Sequence, residues 1–139
     1  MNRTVMQISS SGELPLATEH DIVLARQAVR RMSQQQGFSL VDQTKMVTAA
    51  SELARNTLIY GGGGNLKWSL INDGIKRGLR LTFEDQGPGI PNLELAMTDG
   101  WSSGTGLGLG LTGTRRLVNE FEIDSTVGVG TRVVITRWK

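Results

Sequence analysis

From Gly104 to Leu111 every second residue is glycine: Gly104-Thr105-Gly106-Leu107-Gly108-Leu109-Gly110-Leu111. Glycine in the middle of a helix or strand is destabilising by about 0.5–1 kcal/mol relative to alanine, so such a run reads as a loop between two elements. Ten of the chain's 18 glycines lie between Gly87 and Gly130. Either this part of the chain is a flexible connection, or its backbone must approach something closely. Successive glycines let backbone N–H groups share one concavity with no Cβ in the way, and such nests bind phosphate oxygens. Leu111 to Glu120 reads as a helix, and its N-terminal end would add positive potential at the same place.

Thr4 to Ile8 reads as a short strand and Ser9-Ser10-Ser11-Gly12 as a turn. From Thr18 the apolar positions Ile22, Ala25, Val29 and Met32 recur at spacings of three and four, which predicts a helix ending near Gly37. Ser39-Leu40-Val41-Asp42 fits the S-x-x-D start signal of a second helix, with Met46, Ala50, Leu53 and Thr57 as its buried stripe. Gly61 to Gly64 must stop it. The period then becomes two: Leu66, Trp68 and Leu70, then Leu79, Leu81 and Phe83, joined by a polar turn from Asn72 to Gly78. That is a hairpin pattern. Leu93 to Met97 reads as a short helix. Phe121 to Ser125 and Thr131 to Trp138 read as strands around Val127-Gly128-Val129-Gly130. The expected fold is α+β: a two-layer sandwich in one domain over residues 1–139, with helices on one face of a mixed, mainly antiparallel sheet.

Composition removes several function classes. With no cysteine, thiolate metal sites, disulfides and cysteine nucleophiles are excluded. The single histidine, His20, reads as an exposed residue near a helix start. Fifteen Lys+Arg against 13 Asp+Glu leave a net charge of +2, too little for a nucleic-acid footprint. No apolar run is long enough for a membrane span, and the N-terminus lacks an apolar signal region, so the expectation is a cytoplasmic protein. Trp68, Trp101 and Trp138 read as packing residues.

Three phosphate-binding patterns compete for the glycine run. The Walker A pattern fails because Gly-Lys-Ser/Thr occurs nowhere. Gly108-Leu109-Gly110-Leu111-Thr112-Gly113 is formally G-x-G-x-x-G. It follows a polar loop instead of a strand, and no acidic residue follows at the required distance. The third pattern needs two more elements upstream, and both are present. Asp85-Gln86-Gly87-Pro88-Gly89-Ile90 sets a carboxylate at a strand end before spaced glycines, a combination able to accept from an exocyclic amine beside a thin wall. Glu52-Leu53-Ala54-Arg55-Asn56 puts a carboxylate and a carboxamide four apart on one helical face. A neutral oxygen suits a magnesium ion that already carries phosphates and waters. Alone, each of these features has an ordinary structural explanation: a solvated helix pair, a residue before a turn, a plain connection.

Together and in this order the three elements resemble the N, G1 and G2 boxes of the gyrase, heat-shock chaperone, histidine kinase and MutL ATPase superfamily, the Bergerat fold. The resemblance is closer to its RsbT-type serine/threonine kinases. It is carried by Asp21-Ile22-Val23-x-Ala25-Arg26, Gly37 to Thr44, Ser51 to Asn56, Glu84 to Ile90, Gly106 to Gly110, Arg115-Arg116-Leu117 and Glu120 to Ile123. It implies Glu52 as the general base, Asn56 as the Mg²⁺ ligand, and Asp85 as the adenine acceptor with Gly87 and Gly89 shaping the base pocket. It also implies Gly104, Thr105, Gly106, Leu107, Gly108 and Gly110 as a lid that cradles the phosphates of ATP, and Thr131 on the adenine side.

The implied partners are a STAS-domain antagonist as phosphorylation substrate and a PP2C-type phosphatase regulator, with direct sigma-factor binding left open. Two rivals stay open as well, an ATP hydrolase and a nucleotide-gated binding module. Arg115 and Arg116 fit a phosphate contact and a solvated helix face equally. The chain departs from the family pattern at Ser102 to Thr105 and at Gly61 to Gly64, where the extra glycines are expected to loosen the segment.

Overall fold

The computed structural model describes residues 5–98 and 110–139. In chain order the elements are β1 (Gln7–Leu16), α1 (Glu19–Gln35), α2 (Leu40–Ile59), β2 (Gly64–Asn72), β3 (Arg77–Asp85), α3 (Leu93–Ala96), α4 (Gly110–Arg115), β4 (Glu120–Thr126) and β5 (Gly130–Trp138). The strands form a sheet in the order β1-β2-β3-β5-β4.

All four described pairings are antiparallel, which corrects the expected mixed sheet. β3 and β4 do run in the same direction. The β4–β5 hairpin folds β5 into the space between them, so no parallel pair forms.

Local chemistry sets the two long helices. Thr18 caps α1 by accepting from the Asp21 N–H, and the Asp21 carboxylate accepts in return from Ala17 N at 2.9 Å and Thr18 N at 3.0 Å. That is a reciprocal capping box. α1 ends where Gly37 takes a left-handed φ of +78°, which lets the Phe38 N–H donate to the Ser33 carbonyl. Ser39 caps α2 by accepting from Asp42 N at 3.2 Å. The Asp42 carboxylate is not used in the cap. It accepts instead from Arg137 Nη2 at 2.7 Å.

One sheet face carries the core. Leu66 pairs with Phe83 and Phe83 with Val133, while Leu81 pairs with Ile135, and these side chains pack beneath Ile22, Val29, Met46 and Leu53 of α1 and α2. Burying each such side chain contributes about 1.5–3 kcal/mol. Met46, Ala50, Leu53 and Thr57 are all buried, as their spacing predicts. The opposite sheet face is charged, with ion pairs Lys67–Glu84 at 3.2 Å and Arg80–Glu120 at 3.6 Å.

Two local expectations are corrected. Ser9 to Gly12 is not a turn: β1 runs through it, with Ser10 opposite Leu70 and Gly12 opposite Trp68. A Cβ on Gly12 would stand 2.5 Å from the Trp68 ring, so the glycine makes room for the indole. The helix expected to reach Glu120 stops at Arg115. Arg137 Nη1 donates to the Leu117 carbonyl at 2.8 Å and Asn119 N donates to the Thr136 carbonyl, which turn the chain into β4.

Candidate active site

A cavity of about 230 Å³ opens between the C-terminal half of α2, the end of β3 and the loop after it, and the starts of α4 and β5. Asn56, Asp85, Gly89, Gly110 and Thr131 all line it, together with apolar walls from Leu53, Phe83, Ile90, Leu111, Ile123 and Val133. Residues far apart in sequence meet because α2 ends beside the end of β3, where Gly64 pairs with Asp85 and Asp85 with Thr131.

Asp85 is held by the backbone around it. Its Oδ1 accepts from Gly87 N at 2.9 Å and from Thr131 N at 3.3 Å. Its Oδ2 lies against Gly61, where an added Cβ would come within 2.5 Å of that oxygen. Gly87 packs on the same residue, and its Cβ would stand 2.7 Å from the Gly61 Cα. Gly89, at φ +76°, runs against the Thr126 carbonyl. The loop is also stitched to the β4–β5 hairpin. Ile90 N donates to Ser125 Oγ at 2.8 Å, Ser125 Oγ shares a hydrogen bond with Thr131 Oγ1 at 2.8 Å, and Gly128 N donates to the Pro88 carbonyl at 2.9 Å.

Asn56 stands in the last turn of α2. Its carbonyl accepts from both Tyr60 N and Gly61 N, which closes the helix onto the glycine segment. Glu52 lies one turn earlier, half-buried, and outside the residues that line the cavity. Gly87 also stands behind the lining. Of the glycine run, Gly104, Thr105, Gly106, Leu107 and Gly108 lie outside the described residues, as does Trp101. Gly110 begins α4 at φ +69°, and its carbonyl accepts from Thr114 Oγ1 at 2.9 Å. Arg115 is exposed beyond the end that faces the cavity.

The expected loosening at Gly61 to Gly64 is reversed for two of the four glycines. Gly61 is packed against Asp85, and a Cβ on Gly64 would overlap the Glu84 carbonyl. Sequence reasoning missed Tyr60 and Gly61, which line the cavity, and Ser125, which ties the neighbouring loop to Thr131.

Residues 41–139 match the family model of histidine kinase-, DNA gyrase B- and HSP90-like ATPases. The chain belongs to that ATPase family. Within it, the chain is 46% identical over 123 residues to the serine/threonine-protein kinase RsbT of Bacillus subtilis, covering 88% of this chain and 92% of that one. It is 31% identical to an anti-sigma F factor of Bacillus licheniformis and 29% identical to one of Clostridium novyi, over 81% of this chain in each case and 81% and 82% of theirs. The fold is shared with the crystal structure of the RsbU and RsbW domains of a Mycobacterium tuberculosis protein, at a TM-score of 0.64 and 21% identity. That alignment covers 93% of this ATPase-family chain and 32% of the larger one. Among the described residues, no helix is long and apolar enough to cross a membrane.

Proposed function

We propose that this ATPase-family chain is an ATP-dependent serine/threonine protein kinase acting as a cytoplasmic partner-switching regulator. Its substrate is a Ser or Thr hydroxyl on a STAS-domain antagonist protein, and a PP2C-type phosphatase regulator is its second partner. One observation carries the reading: Asn56 and Asp85, on different elements of a chain 46% identical to a named kinase, line one cavity.

The residues fit the nucleotide. Asp85 presents a fixed carboxylate to a base amine, Gly61, Gly87 and Gly89 leave the backbone bare beside it, and Ile90, Val133 and Phe83 supply apolar walls for a ring. Asn56 would offer its carboxamide oxygen to a magnesium ion, which would neutralise phosphate charge. ATP supplies the transferable phosphoryl group. Glu52, one turn before Asn56, orients a partner's hydroxyl and takes its proton as the oxygen–phosphorus bond forms and ADP leaves. A base of this kind contributes about 10²–10⁴ in rate. The start of α4 would offer backbone donors to the charge on the transferred group, and the family resemblance gives the same role to the glycine run before it.

The test is incubation with γ-labelled ATP, Mg²⁺ and STAS-domain proteins, followed by mapping of the labelled residue. A label on serine or threonine is expected, and Glu52→Gln should bind ATP yet lose most transfer. Transfer by that variant at the wild-type rate would remove Glu52 from its role. The similarity to anti-sigma F factors favours a second reading, a nucleotide-gated binding module. Phosphate-free switching that survives Glu52→Gln would support it.

A further inference from the structure

We infer that Gly61, which belongs to none of the sequence boxes, is a base-selecting position: its missing side chain keeps the Asp85 carboxylate facing the cavity. The inference rests on the reading of Asp85 as acceptor of the base amine.

Asp85 has little freedom. Oδ1 is tied to two backbone N–H groups, Gly87 at 2.9 Å and Thr131 at 3.3 Å. Behind it, Gly130 runs against the Asp85 carbonyl so closely that a Cβ there would overlap it. In front stands Gly61. A methyl at this position would meet the Asp85 Cγ and lie 2.5 Å from both its Cβ and Oδ2. Rotating the carboxylate away breaks both hydrogen bonds to Oδ1, and the Asp85 main chain has no room to back away because Gly130 lies against its carbonyl. Retreat of Gly61 is blocked as well, because its N–H is bonded to the Asn56 carbonyl at 3.2 Å and Gly87 presses on its Cα.

Conformational freedom is not what position 61 needs, since its φ is not left-handed; positive φ occurs at Gly62 and Gly63. Bare space is the requirement. A side chain at 61 therefore changes the direction of one acceptor oxygen, and with it the choice between a 6-amino and a 6-oxo purine.

The experiment is calorimetric binding of ATP and ITP (which carries an oxo group where ATP has its amine) to wild-type protein, Gly61→Ala, Asp85→Asn and the double variant. Thermal melts establish that each is folded. Wild-type protein should prefer ATP by about tenfold or more, the worth of one hydrogen bond to a charged group. Gly61→Ala should lose most of that preference although Asp85 is still present, and the double variant should be no worse than Asp85→Asn alone. If Gly61→Ala does not fold, Gly87→Ala presses the same wall from the other side and should give the same loss. A Gly61→Ala protein that keeps the wild-type ATP/ITP ratio, while Asp85→Asn loses it, overturns the inference and leaves the base reading standing. A ratio unchanged in Asp85→Asn overturns the base reading, and the inference with it.

Discussion

The Asp42 carboxylate and the Arg137 guanidinium meet at 2.7 Å across the gap between the first turn of α2 and the end of β5, with side chains only 27% and 14% exposed. The same guanidinium donates to the Leu117 carbonyl at 2.8 Å, while its buried Nε has no partner among the described residues. Arg137 thus binds the helix layer, the chain after α4 and the sheet to one another. Arg137→Met should lower unfolding free energy by about 2–3 kcal/mol, since it orphans a carbonyl and a half-buried carboxylate. Urea unfolding measures it. Pairing with Asp42→Asn should show strong non-additivity, and additive losses would mean that the pair contributes nothing.

Asp85→Asn replaces an acceptor oxygen with either an NH₂ donor toward the base or one toward Gly87 and Thr131. Both arrangements lose a favourable contact. ATP affinity should fall by at least about tenfold, with the melting temperature of the nucleotide-free protein moving far less. Titration calorimetry checks it.

Gly64→Ala should be among the most damaging single-methyl additions in the chain. Its Cβ would overlap the Glu84 carbonyl and stand 2.9 Å from Thr57 Cγ2, so strands β2 and β3 must part at the end that carries Asp85. A loss above about 2 kcal/mol, or failure to fold, is expected. Stability within 0.5 kcal/mol of wild type, on the order of a surface change, would mean the strands separate there without cost.

Leu81→Ala empties the middle of the sheet. Leu81 is 0% exposed and sits between Trp68 on β2 and Ile135 on β5. About 2–5 kcal/mol of stability should go, measured by chemical denaturation.

Acid should weaken the fold through two turn carboxylates. Hydrogen bonds from the Ala17 N–H and then from Thr18 hold Asp21 below its ordinary 3.8, and those from Lys76 N–H and Ile75 N–H do the same for Asp73. Native values below the unfolded one mean that the stabilisation is complete above that unfolded value. It is lost as pH falls through the native values, below about 4. Melting curves across that window should be flatter for Asp21→Asn and Asp73→Asn than for wild type.

Features that rest on local chemistry were legible in the sequence. Gly37 and Ser39 mark the α1–α2 junction, the alternation around Leu66 and Leu81 marks the central hairpin, and both helix stripes follow the periodicity. Asn56, Asp85, Gly89, Gly110 and Thr131, expected together from the resemblance, all line one cavity. Features set by distant partners did not. Three serines and a glycine look like a turn until β2 supplies Leu70 and Trp68 as neighbours. The end of α4 is fixed by Arg137 and Thr136, from another part of the chain. Gly61 looked like slack because the atom it must avoid, Asp85 Oδ2, belongs to a different strand.

The strand order β1-β2-β3-β5-β4 has a consequence for biosynthesis. β3 gains its second neighbour only from β5, the last of the sheet's five described strands in chain order, and Thr131 of that strand supplies one of the two N–H groups that hold Asp85. A nascent chain that already contains every other strand still shows an unpaired β3 edge beside Leu81 and Phe83. Such an edge is a template for misassembly and for holdase chaperones. Competence to bind nucleotide should therefore arrive all at once, only when β5 has emerged and slots in beside β3.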